Sequence, residues 1–172
     1  IDLAGEMEDV LTARRFADVL ASAFGASGSG ALRLTVLTGQ VIVTSRTYNA
    51  DPAGTYGQLI PAFPVGEAFG EGETAALIQL TANASYRTNL GLVNLSAAPI
   101  TATVDLYLAN GTPLGSVNED LAPFEHQQLN GVFGSATSDA VDDGFALVRA
   151  AGSGAALLSY ASVVDRRTAD AV

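Results

Sequence analysis

The last third of this chain repeats parts of its first third at a separation of about 110 residues. The matching stretches are residues 2–5 with 120–123, Phe24-Gly25 with Phe133-Gly134, and residues 43–49 with 159–165. A unit of that size is typical of one β-sandwich domain. The repeat therefore predicts an incomplete first unit over residues 1–66 and a complete β-sandwich unit over residues 67–172.

Apolar spacing predicts one short amphipathic helix followed by strands. The helical spacing covers residues 12–23, with Asp9 or Thr12 as the N-cap and Gly25 at the end. After the helix, apolar residues recur at every second position, which predicts hairpins over 31–48 and 144–164. If the repeat is structural, these two hairpins should superpose. The remaining predicted strands cover residues 74–81, 86–94, 100–109 and 114–117, with a tight turn at Asn110-Gly111. The pattern is that of an all-β sandwich.

Charge and composition exclude several classes of function. The chain has 18 acidic residues against 8 basic ones, all of the basic ones Arg, and a net charge of −10. Binding to nucleic acid needs clustered cations, so nucleic acid is not an expected partner. The absence of Lys excludes Schiff-base chemistry and a phosphate-binding P-loop, and the absence of Cys excludes disulfides, thiolate metal sites and Cys nucleophiles. No apolar run is long enough to predict membrane insertion, and no cofactor is expected.

Two groups of residues are the candidates for metal or acid–base chemistry. His126 is the single histidine, so any histidine-dependent triad or metal site would have to use it, and we expect it to be solvent-facing or to satisfy a turn. Asp139, Asp142 and Asp143 form an acidic loop whose carboxylates suit calcium. Their spacing departs from that of a calcium-binding loop, and we therefore expect a solvated loop, with these three as weak metal candidates.

The remaining candidates are arginines, tyrosines and asparagines on strands or turns. Arg46 and Arg87 each lie in an apolar strand, where pairing with a carboxylate or carbonyl is expected more than anion binding. Tyr48 and Tyr56 would line the groove of a ligand-binding domain, although the absence of Trp disfavours stacking on carbohydrate. Three sequons begin at Asn83, Asn94 and Asn110, and the sequence leaves open whether any is glycosylated.

Several strings of residues resemble β-sandwich modules found near the C-termini of large secreted bacterial proteins. They are RTNLGLVN at 87–94, QLNGVFG at 128–134, YASVVD at 160–165, SRTYN at 45–49 and GTYGQ at 54–58. The resemblance implies an immunoglobulin-like fold and an extracellular or cell-surface location. It implies no catalytic residues, because these strings are structural in character.

These observations predict a non-enzymatic extracellular structural or adhesion module whose partners are other protein modules or copies of itself. The alternative is a ligand-binding accessory domain of a secreted hydrolase. The incomplete first unit would expose the apolar positions Leu32, Leu34, Val36, Val41 and Val43. Three explanations for their cover stay open: residues 1–66 fold against the second unit, the chain is a fragment, or a strand from a neighbouring chain completes the sheet and builds a homo-oligomer or filament.

Overall fold

The computed structural model describes residues 18–28, 30–52 and 54–171. The chain divides into two compact units, Ile1–Gly30 and Ala31–Val172. This division falls after Gly30, whereas the sequence repeat placed the boundary after residue 66. The assignment of residues 1–66 to an incomplete copy of residues 67–172 stays a prediction.

The described part of the first unit contains one short helix, α1, over Val19–Phe24. Asp18 is its N-cap, and the Asp18 side chain accepts a hydrogen bond from the Ala21 amide at 2.9 Å. Gly25 ends the helix in the left-handed conformation, as the sequence predicted. The helix begins later than expected from its apolar spacing, and the predicted caps Asp9 and Thr12 lie outside the described residues.

The second unit is an all-β sandwich preceded by a separate hairpin. The hairpin consists of β1 (Thr44–Asp51) and β2 (Gly54–Pro61), which pair antiparallel. The sandwich strands are β3 (Thr74–Ala82), β4 (Tyr86–Asn94), β5 (Ile100–Leu108), β6 (Pro113–Leu121), β7 (His126–Leu129), β8 (Val141–Ala151) and β9 (Leu157–Asp165). They form a four-stranded sheet in the order β3-β8-β5-β6 and a three-stranded sheet in the order β7-β4-β9.

The two sheets bury their facing apolar side chains in one core. Alternate residues of β5 and β8 point inward, which buries Val104, Leu106 and Val148 completely. Leu90 and Leu92 do the same from β4 in the other sheet. Phe133 fills the end of the core from a short 3-10 turn, Val132–Ser135. Burial alternates along most of β8 and the first half of β5, whereas residues 88–92 of β4 are buried without a break.

The outward face of the four-stranded sheet carries polar pairs between neighbouring strands. Asp105 forms an ion pair with Arg149, with 2.5 Å between Oδ2 and Nη2, and accepts a hydrogen bond from the Ser116 hydroxyl. The Thr101 hydroxyl donates to Asp120 at 2.7 Å. These pairs hold β6 and β8 to β5 on the side that faces solvent.

The predicted correspondence between the hairpins at 31–48 and 144–164 is wrong. β8 and β9 lie in different sheets and form no hairpin, while residues 31–43 contain no strand and β1 pairs with β2 instead. Phe24 is exposed at the end of α1, whereas its counterpart Phe133 is buried. The connection after β8 passes from one sheet to the other through Gly152 and Gly154, both at positive φ.

The strand order departs from the immunoglobulin constant-type order at both ends of the sandwich. Taking β3 to β9 as seven successive strands, the pairs β4–β7 and β5–β8 are those of an immunoglobulin domain. β3 pairs with β8 instead of β4, β6 pairs with β5 instead of β7, and β9 pairs with β4 instead of β8. The immunoglobulin-like assignment therefore depends on the central pairs and stays a prediction beyond the β-sandwich itself.

A fully buried asparagine joins two of the connections that cross between sheets. The Asn94 amide nitrogen donates to the carbonyls of Ala98 and Ala122, each at 2.9 Å. Its side-chain oxygen accepts from the Ser96 amide at 2.9 Å and from the Ser96 hydroxyl at 2.7 Å. Asn94 ends β4, so one side chain fixes both the loop that leads to β5 and the loop that leads from β6 to β7.

Replacing Asn94 tests this role. We expect Asn94→Ala to lower the free energy of unfolding by about 2–4 kcal/mol, because it leaves buried backbone groups without partners. The control is Asn110→Ala, which removes the similar hydrogen bond that an exposed turn asparagine accepts from the Thr112 amide. We expect that control to cost less than about 1 kcal/mol. Urea denaturation measures both, and equal losses would show that Asn94 is no more than a local turn residue.

Candidate functional site

His126 and Tyr160 form the one described pair of ionisable side chains with shifted pKa values. β7 and β9 flank β4, and Gly91 of β4 lies opposite Tyr160 in the register. A Cβ at Gly91 would lie 2.1 Å from the Tyr160 ring, so the glycine provides the space that the ring occupies. The His126 Nε2 and the Tyr160 hydroxyl are 3.1 Å apart, and the two rings are nearly parallel.

Partial burial governs the protonation of this pair. It lowers the pKa of His126 below its ordinary value of 6.5, because desolvation disfavours the imidazolium. It raises the pKa of Tyr160 for the corresponding reason, which disfavours the phenolate. Both groups are thus neutral near pH 7. The structure places His126 half-buried on a strand and hydrogen-bonded to tyrosine, rather than facing solvent or satisfying a turn as the sequence predicted.

The acidic loop places its three carboxylates in different surroundings. The Asp142 carboxylate accepts a hydrogen bond from the Asn83 side chain at 2.8 Å. The Asp139 backbone amide donates a hydrogen bond to the Thr137 hydroxyl. Asp143 is exposed on β8. Among the described residues, no three His, Asp or Glu side chains come together in a group that could hold a metal ion. Asp142 lies on β8 and contacts the turn between β3 and β4, and calcium binding by these residues stays a prediction.

Tyr48 and Tyr56 do not face the same groove. In the hairpin register Tyr48 lies opposite Gly57, and Tyr56 lies opposite Asn49. Successive residues of a strand point to opposite faces, so the two tyrosines project on opposite sides of the β1–β2 hairpin. Arg46 lies on the Tyr48 side, with its guanidinium carbon 5.7 Å from the ring centroid, which is a cation–π distance. Arg87 lies partly buried on β4, opposite Val164.

The three sequon asparagines differ in exposure. Asn94 is fully buried and uses both ends of its amide, so it is inaccessible to glycosylation in the folded chain. Asn83 is partly buried, and its side-chain oxygen accepts from the amides of Ser85 and Tyr86. Asn110 is exposed in the β5–β6 turn, where Gly111 has a φ of 85°. Of these three, Asn110 is the exposed acceptor.

A groove runs along one side of the sandwich, where edge strands of the two sheets face each other. Two adjoining clefts form it, with volumes of about 350 and 320 Å³ and with Gln79 and Val163 in the wall of both. We call their combined lining the edge groove. Besides Gln79 and Val163, one cleft is lined by Gln58, Ala76, Leu77, Ile78, Leu80, Ala161 and Ser162, and the other by Thr81, Asn83, Tyr86 and Asp142.

A β-bulge in β3 shapes the edge groove. The pairing of β3 with β8 shifts between Leu77 and Leu80 and shifts again before Ala82. Gln79 has a φ of 59°, and the Ile78 side chain is 68% exposed. The bulge turns the edge of β3 away from regular pairing and opens the space beside β9. Sequence reasoning missed this groove, because neither Gln79 nor its neighbours is a residue type that signals positive φ.

The apolar residues of segment 31–43 are exposed, except Val43, which is partly buried. Leu32, Leu34, Val36 and Val41 are between 45% and 52% exposed, and Ile42 is 93% exposed. The segment has no strand and no ladder partner among the described strands. The sequence expected these positions to form an apolar face in need of cover, and their side chains remain about half open to solvent here.

Comparisons with known proteins provide no family for this chain. No protein-family model matches it, and no curated protein matches it. Among solved structures, a chain described as Anabaena sensory rhodopsin transducer aligns with a TM-score of 0.45 and 10% sequence identity, over 59% of this chain and 95% of that one. At that level of similarity, neither the fold nor the role of that protein extends to this chain.

Within residues 18–28, 30–52 and 54–171, no helix has the length and apolar content that crossing a membrane requires.

The single histidine makes the His126–Tyr160 pair measurable by NMR titration. We expect a pKa below 6.5 in the folded chain. The unfolded chain then binds a proton more readily than the folded one, so the free energy of unfolding should fall as pH drops below about 6.5. His126→Gln should remove that part of the pH dependence. An NMR pKa at or above 6.5 would contradict the burial of the imidazole.

Gly91→Ala tests the geometry of the same pair. The added methyl group would overlap the Tyr160 ring, so we expect the ring to move and the His126 pKa to rise toward 6.5. Gly115→Ala is the matched control, because its Cβ would meet only the Ala136 side chain and backbone at 3.1 Å or more, away from the histidine. An unchanged His126 pKa in Gly91→Ala would show that Tyr160 does not desolvate the imidazole.

Proposed function

We propose that this chain is a non-enzymatic extracellular structural or adhesion module that assembles with copies of itself by strand complementation. The observation that carries the proposal is segment 31–43, which has alternating apolar residues, no strand pairing and side chains about half exposed. It accompanies a sandwich with open sheet edges. Soluble proteins rarely leave an apolar stretch with strand-forming residues uncovered, since such stretches pair with other chains.

The residue types of the segment support pairing as a strand. Residues 31–43 (ALRLTVLTGQVIV) are rich in Val, Ile, Leu and Thr, and Thr38-Gly39 interrupts them with a turn signal. Ordering such a segment costs conformational entropy, which burial of its apolar side chains must offset. A neighbouring chain provides that burial at about 25 cal/mol for each Å² of apolar surface removed from water.

An extracellular location is part of the proposal. It is supported by the resemblance of residues 87–94 and 160–165 to modules of secreted bacterial proteins. The absence of Cys means that stability in an oxidising environment would come from packing, and the buried core and the Asn94 network provide such packing. An immunoglobulin-like assignment agrees with the central pairs β4–β7 and β5–β8.

The rival role, a ligand-binding accessory domain, has less support. It required Tyr48 and Tyr56 to line one groove, and the hairpin register places them on opposite faces. The edge groove carries one tyrosine, Tyr86.

Sedimentation velocity and electron microscopy test self-assembly. We expect the purified chain to form open-ended oligomers as its concentration rises. Val36→Asp should shift the assembly midpoint at least tenfold upward in concentration, since it puts a charge at an apolar contact, whereas Thr35→Asp on the opposite side of the same segment should shift it much less. Both variants should keep the melting temperature of the sandwich. A monomer at every concentration would refute the proposed function.

A further inference from the structure

We propose that Asp170 is a latch that holds the β1–β2 hairpin over one cleft of the edge groove, so that release of the hairpin opens that cleft. This goes beyond the proposed function, because the movement takes place within one chain and needs no second copy. Three features support it: a hydrogen bond between distant parts of the chain, the turn that positions Asp170, and the small contribution of the hairpin to the core.

A hydrogen bond between Asp170 and Gly57 joins the end of the chain to the hairpin. The Gly57 amide of β2 donates to Asp170 Oδ1 at 2.7 Å, and both residues are partly buried. A hydrogen bond to a carboxylate is stronger than one between neutral groups, and partial burial limits competition from water. The Asp170 side chain therefore connects two parts of the chain that are 113 residues apart.

The hairpin forms part of the wall of the edge groove. Gln58, the next residue of β2, lines the cleft of about 320 Å³ together with Ala161 and Ser162 of β9. The hydrogen bond at Gly57 thus lies one residue from the cleft. When the hairpin moves away, the cleft loses this wall, and β9 becomes accessible between the two bridges at Leu157 and Val164.

The turn over residues 165–170 holds Asp170 in place. The Asp165 carboxylate accepts hydrogen bonds from two backbone amides of this turn, at 2.6 and 3.1 Å. The Asp165 amide donates to the Asp170 carbonyl at 2.8 Å. Between them, Ala169 has a φ of 58°, a left-handed conformation that costs energy for a residue with a side chain. The hydrogen bonds of the turn maintain this strained backbone, and the residue that follows it is the one that contacts the hairpin.

The hairpin depends on such attachments, because it contributes little to the core. The buried core that the structure describes includes no residue of β1 or β2. An isolated two-stranded hairpin is at best marginally stable in water. A segment with few buried apolar contacts opens locally at a much lower free energy than the whole domain needs to unfold. Loss of the Asp170 hydrogen bond should therefore release the hairpin while the sandwich stays folded.

Thiol labelling measures access to the cleft, because the chain has no Cys of its own. Ala161→Cys places one thiol in the cleft wall. We expect a water-soluble maleimide to label it about tenfold faster after Asp170→Ala, since a hydrogen bond to a charged group is lost from the closed state. Asp170→Asn keeps an acceptor oxygen and should raise the rate less than about threefold. The matched control is Asp143→Ala, which removes the same charge from an exposed position of β8 and should leave the rate unchanged.

Hydrogen exchange shows whether the opening is local. Asp170→Ala should accelerate amide exchange in residues 54–61 of β2 by about tenfold and leave residues 100–108 of β5 unchanged. Equal acceleration in both strands would show that Asp170 stabilises the whole sandwich, which overturns the latch. Equal labelling rates after Asp170→Ala and Asp143→Ala would overturn it as well. A chain that stays monomeric at every concentration would contradict self-assembly and leave the latch standing.

Discussion

The side-chain amide of Asn94 is the interaction on which the arrangement of the sandwich most depends. Of the connections between β3 and β9, β5–β6 alone joins neighbouring strands of one sheet, so the others must cross from sheet to sheet. Crossing loops leave backbone carbonyls near the core without a ladder, and burial without partners would destabilise them. The Asn94 side chain donates to carbonyls in two of these crossings and accepts from Ser96 in one of them. The polar network therefore specifies which loops meet, while the apolar core provides most of the burial.

Most strands of residues 74–172 could be predicted from sequence, but β7 and the pairing of the strands could not. Alternation along residues 100–109 indicates which face of β5 is buried, and the Asn110-Gly111 turn indicates one local pairing. That alternation does not indicate whether β9 pairs with β8 or with β4. In the structure β9 pairs with β4, so β8 and β9 do not form the predicted hairpin. The same limit applies to residues 31–43, whose strand-like pattern has no partner strand and so forms no ladder.

The residues of the candidate site could be identified from the sequence, but their spatial arrangement could not. His126 was identifiable because it is the single histidine, yet its partner Tyr160 comes from a strand two positions away in the sheet, brought close by the absence of a side chain at Gly91. Asp142 was identified in an acidic loop, and its contact with Asn83 depends on the turn between β3 and β4. The edge groove depends on a bulge at Gln79, for which the residue type gives no signal.

The four edges of the two sheets differ in how they resist pairing with another chain. β6 presents Pro113, Glu119 and Asp120, and β7 is only four residues long. β3 is interrupted by its bulge. Such features are the usual means by which proteins prevent strands from adding to an edge. β9 has none of them between Leu158 and Val164, a run without charge or proline, and its two ends are paired with Phe69 and with the residues near Asp170. The bridges at Leu157 and Val164 close both ends of that run, so the outer edge of β9 is shortened by the chain itself.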